Sequence, residues 1–180
     1  MRWAALFEDL EAQAEVLALA ERAAEVDERA RVEIGRLALA DRVAAACGHR
    51  VRVRCGRELS LDGSIRAGGA DWMLIEDVTG REAIVPLAAV RTIAGLPRFA
   101  ATDERVAFRL SVRHVLRAVA RDRRGVHVHL VDGSAVSGTL DRVTADHLDV
   151  AVHAAGEQRR ASAVRDMMVV PLSAVAAVVA

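Results

Sequence analysis

Three residue types are absent from this 180-residue chain: lysine, asparagine and tyrosine. All three have A/T-rich codons, so the composition is typical of a bacterium with a high-GC genome. Arginine is then the only strong cation by codon usage, and its abundance alone is a weak indicator of phosphate binding. Aromatic residues make up only 3% of the chain, which leaves few rings on which nucleic-acid bases could stack.

Long apolar runs are also missing, and none approaches the roughly 18 residues that a membrane-spanning helix needs. The first residues, MRWAALFEDLEAQ, place acids where a signal peptide would be apolar. A hydrophobic fraction of 53% and a charged fraction of 28% are typical of a globular protein. We therefore expect a soluble cytoplasmic protein with no membrane association.

Chemistry-bearing motifs are scarce. Cys47 and Cys55 lie far from any patterned cysteine or histidine, so they are interpreted as reduced structural thiols. No serine lies in a nucleophile elbow, and no glycine-rich phosphate loop precedes a helix. The sequence predicts no catalytic residue, no cofactor and no enzymatic activity.

An internal repeat organises the rest of the chain. The segment VRVRCGRELSLDGSIRAGGADWMLI (51–75) aligns without a gap on VHVHLVDGSAVSGTLDRVTADHLDV (126–150). Further on, IVPLAAV (84–90) aligns on VVPLSAV (169–175). Apolar and polar residues alternate in VRVRC and VHVHL, which predicts half-buried strands. Gly63 and Gly138 are predicted to end the following strands at sharp bends.

Each unit therefore has one helix and five short antiparallel strands. This pattern resembles the Sm-like family, which includes the bacterial Hfq proteins, and VHVHLVDGSAVSGTL with DHLDV carries the resemblance best. The resemblance implies two tandem Sm-like five-stranded antiparallel β-barrels in an α+β chain, each preceded by a helix, plus a long N-terminal helix. Leu74 and Asp149 stand where the family's RNA-binding residues would be, so its RNA-binding motifs are not matched. The predicted domains are a helical arm (1–30), the first helix and barrel (31–95), a linker (96–104), and the second helix and barrel (105–180).

Two histidines, His127 and His129, share one face of the VHVHL strand and could hold a metal ion. They align with Arg52 and Arg54, however, and a metal site would not tolerate that exchange. A solvated strand face is the preferred interpretation, and no metal site is predicted.

Two hypotheses remain for the function. In the first, a non-catalytic module binds the RNA backbone without reading its sequence, using arginines on the strand faces and on the helix before the second barrel. In the second, the protein is an interaction or assembly scaffold that binds no nucleic acid. The candidate nucleic-acid contacts are Arg52, Arg54, Arg109, Arg113, Arg117 and Arg121.

A homo-oligomer is expected, formed through strand edges or the N-terminal helix. In that helix Trp3, Phe7 and Leu10 recur at helical spacing. Trp72 and Leu74 are expected to point outward from the first barrel, where a helix, the second barrel or another subunit must cover them.

Overall fold

The computed structural model describes residues 2–97, 110–154 and 164–180. The chain divides into two compact units, Met1–Leu37 and Ala38–Ala180. The first unit is helix α1 (Arg2–Arg36), whose sequence is rich in the good helix formers alanine, glutamate and arginine. Exposed ion pairs one turn apart, Arg29–Glu25 and Arg31–Glu28, lie along it.

The described residues of the second unit form a β-sheet with two α-helices. In β1 (Arg50–Cys55), exposed and buried residues alternate without exception, as the sequence pattern predicts. Both β4 (Glu82–Pro86) and β9 (Asp166–Pro171) end at a proline and are followed by a short 3₁₀ turn that leads into the next strand. The elements in chain order are α2 (Leu39–Ala45), β1 (Arg50–Cys55), β2 (Leu59–Gly68), β3 (Trp72–Glu76), β4 (Glu82–Pro86), β5 (Val90–Ala94), α3 (Val112–Asp122), β6 (Gly125–Leu130), β7 (Ala135–Val143), β8 (His147–Val152), β9 (Asp166–Pro171) and β10 (Val175–Val179).

The ten strands found in the described ranges form one open antiparallel sheet, in the order β5-β1-β2-β3-β4-β10-β6-β7-β8-β9. The prediction of two closed five-stranded Sm-like barrels is therefore wrong. The finding that overturns it is the position of β10, which pairs with β6 on one side and with β4 on the other. Because β4 occupies that ladder, the hydrogen bonds continue from the first five strands into the second five.

The two sets of five strands are not self-contained repeats either. One apolar cluster combines the first set with Ala176, Ala177 and Val179 of β10. The other combines the second set with Trp72 and Ile84 from the first set. What the aligned segments share is local: Val51 pairs with Gly63 in one hairpin, and Val126 pairs with Gly138 in the other.

The glycines of these hairpins do not end their strands, since β2 and β7 continue through Gly63 and Gly138. Their role is to permit close backbone approach. A Cβ at Gly63 would collide with the carbonyl oxygen of Glu76, and one at Gly138 would collide with that of Ala151. The strand ends predicted at these positions are therefore wrong, and the glycines allow the paired neighbouring strands to approach closely.

Helix α3 is held to the first set of strands by two hydrogen bonds. The Val112 backbone N–H, at the first turn of the helix, donates to Asp71 Oδ1 at 2.7 Å. The indole Nε1–H of Trp72 donates to the Leu110 carbonyl oxygen at 2.8 Å. Leu116 of α3 is fully buried in the second apolar cluster.

We expect Gly138→Ala to lower the free energy of unfolding by about 1–3 kcal/mol, because the backbone of β8 must move to admit a methyl group. Urea denaturation measures the change. Gly35→Ala in α1 is the matched control: nothing lies within 4 Å of the added Cβ, and alanine favours the helix. Equal effects of the two substitutions would contradict the close approach at Gly138.

We expect Asp71→Ala to cost about 1 kcal/mol in the free energy of unfolding, because the first turn of α3 loses its side-chain acceptor. Asp146, which aligns with Asp71, has an 86% exposed side chain whose Oδ1 lies 2.7 Å from Nδ1 of its neighbour His147. Asp146→Ala should therefore stay within about 0.5 kcal/mol of the parent. Urea denaturation of both variants tests the difference.

Candidate functional site

Arg52, predicted to contact nucleic acid, is already engaged within the protein. Arg50 Nε lies 2.9 Å from Asp62 Oδ1 and Arg52 Nη2 lies 3.2 Å from Asp62 Oδ2. These two hydrogen bonds hold the pKa of Asp62 below its ordinary value. Arg52 therefore meets a carboxylate on the neighbouring strand, although its side chain stays largely exposed.

The arginines of α3 do not act as one row. Arg113 Nη1 donates to the Ala145 carbonyl oxygen at 3.2 Å, and Arg117 Nε donates to the Val143 carbonyl oxygen at 3.3 Å. Arg121 is exposed. Arg109 lies outside the described residues. Two of the three predicted arginines that lie in α3 thus attach the helix to the end of β7 and the turn that follows it.

Arg54 is placed differently, in a cleft of about 530 Å³. Two further arginines line the same cleft, Arg57 from the β1–β2 turn and Arg91 from β5. We call Arg54, Arg57 and Arg91 the arginine cleft. All three side chains belong to exposed residues. The remaining lining residues are Cys55, Gly56, Leu59, Thr92 and Val131.

Strand pairing explains why these arginines meet. Arg54 of β1 pairs with Thr92 of β5, whereas Cys55 pairs with Val90. Arg91 is therefore the extra residue of a β-bulge, a feature that re-aims side chains at sheet edges. Arg57 reaches the same place because the hairpin from β1 to β2 closes directly beyond Cys55.

Gly56 lines the cleft and lies close to the backbone of Val131. Its φ is +52°, in the left-handed region, and an added Cβ would lie 2.8 Å from Val131 Cα. The β1–β2 turn can therefore lie against the backbone that follows β6 only because residue 56 has no side chain. Gly56 and Val131 both line the cleft, although they lie far apart in the sequence.

The charge of the arginine cleft is uncompensated. Across the part of the chain that the structure describes, Arg54, Arg57 and Arg91 form no ion pair, and no carboxylate lines the cleft. The nearest thiol, Cys55, is buried, which raises its pKa to about 11 and keeps it protonated at neutral pH. The cleft can therefore bind an anion, but it presents no activated thiolate.

Sequence reasoning found Arg54 and missed Arg57 and Arg91. Arg57 lies in a turn, and Arg91 lies in a short strand, 37 positions from Arg54 in the sequence, so neither belongs to a periodic row. Only the pairing of β5 with β1 brings them together. No local sequence signal identifies this group.

Trp72 and Leu74 are covered within the chain. Trp72 is only 4% exposed and belongs to the cluster around α3 and the second set of strands, and Leu74 packs against the same cluster. Helix α3 and the second set of strands therefore cover Trp72 and Leu74. Trp3, Phe7 and Leu10 lie in α1, and whether they form an interface stays a prediction.

The two histidines of β6 lie in different surroundings. Ser137 Oγ and His127 Nδ1 are 2.8 Å apart. Burial lowers the pKa of His129, and repulsion from His127 and Arg81 lowers it further. Among the described residues, no group of three or more histidine, cysteine or acidic side chains is arranged to hold a metal ion.

The lowered pKa of His129 predicts a pH dependence of stability. The folded protein resists protonating this side chain, so stability falls as pH drops below the ordinary value of 6.5, where the unfolded chain takes up the proton. When the pH is lowered from about 8 to about 5, we expect the Tm of His129→Gln to fall less than the Tm of the parent. His49→Gln, at an exposed position, is the control, and a His129→Gln variant with the parent's pH profile would contradict the assignment.

None of the described helices combines the length and the hydrophobicity required to cross a lipid bilayer. No protein-family profile matches the chain, and no curated protein matches it in a sequence search. These comparisons do not identify the chain as an Sm-like protein, and the open sheet does not have the barrel architecture that the resemblance implied.

Proposed function

We propose that this protein is a non-catalytic module that binds the phosphate backbone of RNA in the arginine cleft. The observation that carries the proposal is the convergence of Arg54, Arg57 and Arg91 in one cleft, where none of the described lining residues is a carboxylate. Three like charges held together in this way repel one another unless an anion lies between them. A polyanion is the ligand that this arrangement favours.

The chemistry of the lining favours phosphate groups over bases. Guanidinium groups donate paired hydrogen bonds to phosphate oxygens, and Thr92 also lines the cleft. Among the described residues, no aromatic side chain lines the cleft, so bases meet no ring there on which to stack. We therefore propose backbone contact without sequence readout.

The other arginines have lesser roles in this proposal. Arg52 is bound to Asp62, and Arg113 and Arg117 donate to backbone carbonyls. Arg121 is exposed on α3, away from the residues that line the cleft. Binding should therefore depend on Arg57 and Arg91 more than on the helix arginines.

A cytoplasmic location belongs to the same proposal. Cys55 is buried and forms no disulfide, and reduced cysteines are typical of a reducing compartment. RNA is also available there.

Fluorescence anisotropy with a labelled single-stranded RNA of mixed sequence tests the proposal. We expect binding to weaken as salt rises from about 50 to about 200 mM. Replacing Arg54, Arg57 and Arg91 together by alanine should weaken binding at least about tenfold and flatten the slope of log K against log salt by about 2, since each lost phosphate contact contributes roughly 0.7.

Arg121→Ala is the matched control, because it removes an exposed arginine outside the cleft and should change affinity less than about twofold. If the parent shows no salt-dependent binding, or if the triple variant binds like the parent, the cleft is not an RNA site. The scaffold hypothesis would then be the better account of the protein.

A further inference from the structure

The ten-stranded sheet has two outer edges, β5 and β9. Within the described ranges, β5 pairs only with β1 and β9 only with β8. Strand β9 is unusually apolar for an edge: Met167 is 50% exposed, Met168 41% and Val169 66%. Edge strands are commonly protected by charged side chains, but the only charged residue of β9 is Asp166 at its start.

The junction between β4 and β10 shows how an edge of this type is covered. Ile84 pairs with Val178 and Ala83 pairs with Val179 in an antiparallel ladder. In this junction Ile84 is 8% exposed and Ala83 is 4% exposed. Every residue of β10 is buried.

In the sequence alignment, the two unpaired edges β9 and β5 correspond to β4 and β10, the two strands of that junction. The alignment of IVPLAAV with VVPLSAV places Val169 on Ile84 and Met168 on Ala83, and both segments run from a strand through a 3₁₀ turn into the next strand. The same alignment places β5 on β10, with Ile93 on Val178. The described residues thus contain one completed junction and one further pair of edges of the same kind that no described strand joins.

We infer that β9 of one copy pairs with β5 of a second copy, antiparallel and in the register of the β4–β10 junction. Val169 then lies opposite Ile93 of the second copy, and Met168 lies opposite its Ala94. This pairing buries the exposed apolar residues of β9 and satisfies the outer backbone groups of both edges. The occupant of the β9 edge is another copy because the chain itself carries the complementary edge.

The contact is head-to-tail, since each copy contributes a different edge. Such contacts close into a ring when the rotation between copies allows it and otherwise continue as a filament. The inference does not depend on RNA binding, because it rests on β9 and on the backbone edge of β5 rather than on the arginine cleft.

Light scattering coupled to size exclusion tests the contact on the full chain. The parent should elute at a multiple of 19.3 kDa. Val169→Lys should shift the mass to that of one chain, because a lysine would be buried in the new ladder. Within one chain the substitution is tolerated, since Val169 is 66% exposed and pairs with Asp149 of β8.

Val78→Lys is the matched control. Val78 is 80% exposed and lies in the turn after β3, away from both edges, so this variant should keep the parent's mass. Far-ultraviolet circular dichroism and a thermal melt establish that both variants remain folded. A monomeric parent, or a folded Val169→Lys variant with the parent's mass, would overturn the inference.

Paired cysteines test the register without weakening the interface. Residues directly opposite each other in an antiparallel ladder have Cβ atoms about 4.5–5.5 Å apart, close enough for a disulfide after small adjustments. A chain carrying both Ala94→Cys and Met168→Cys should give a ladder of cross-linked multimers on oxidation, whereas each single variant should give none. Cross-linking by Met168→Cys alone would mean that two β9 edges meet each other, and this outcome would also overturn the proposed pairing.

Discussion

Strand β10 is the element on which the rest of the structure depends. It forms ladders with β6 and with β4 and is buried along its whole length. Its side chains contribute to both apolar clusters, with Ala176, Ala177 and Val179 in one and Val175 and Val178 in the other. A strand of small and β-branched residues can do this because it packs closely on both faces of the sheet.

The same pairing gives the arginine cleft its form. With the sheet continuous through β10, the turn after β6 lies against the β1–β2 turn, and Gly56 permits the contact with Val131. The bulge in β5 then places Arg91 beside Arg54. The positive cleft is therefore a consequence of how two distant hairpins pack, and not of any one basic segment.

The local structure was predictable to a considerable extent. Alternation in residues 50–55 and 125–130, the proline-ended strands, and the amphipathic stripe of α3 all follow from short-range patterns. Gly63 and Gly138 were wrongly predicted to end their strands. The sequence alone does not distinguish a glycine at a strand end from one that allows two backbones to approach closely. Arg54 was predicted because it lies on the polar face of an alternating strand, whereas Arg57 and Arg91 required knowledge of strand pairing.

The residues decide without help from the fold which side of a strand is apolar and where prolines end β4 and β9, since these features depend on neighbours a few positions away. Whether ten such strands close into barrels or continue as one sheet depends on the partner of the last strand. Strand edges carry the same backbone donors and acceptors whatever their side chains, so the pattern of β10 is equally compatible with either outcome. Packing between β4 and β10 made that choice, and with it came both the arginine cleft and the exposed edge of β9.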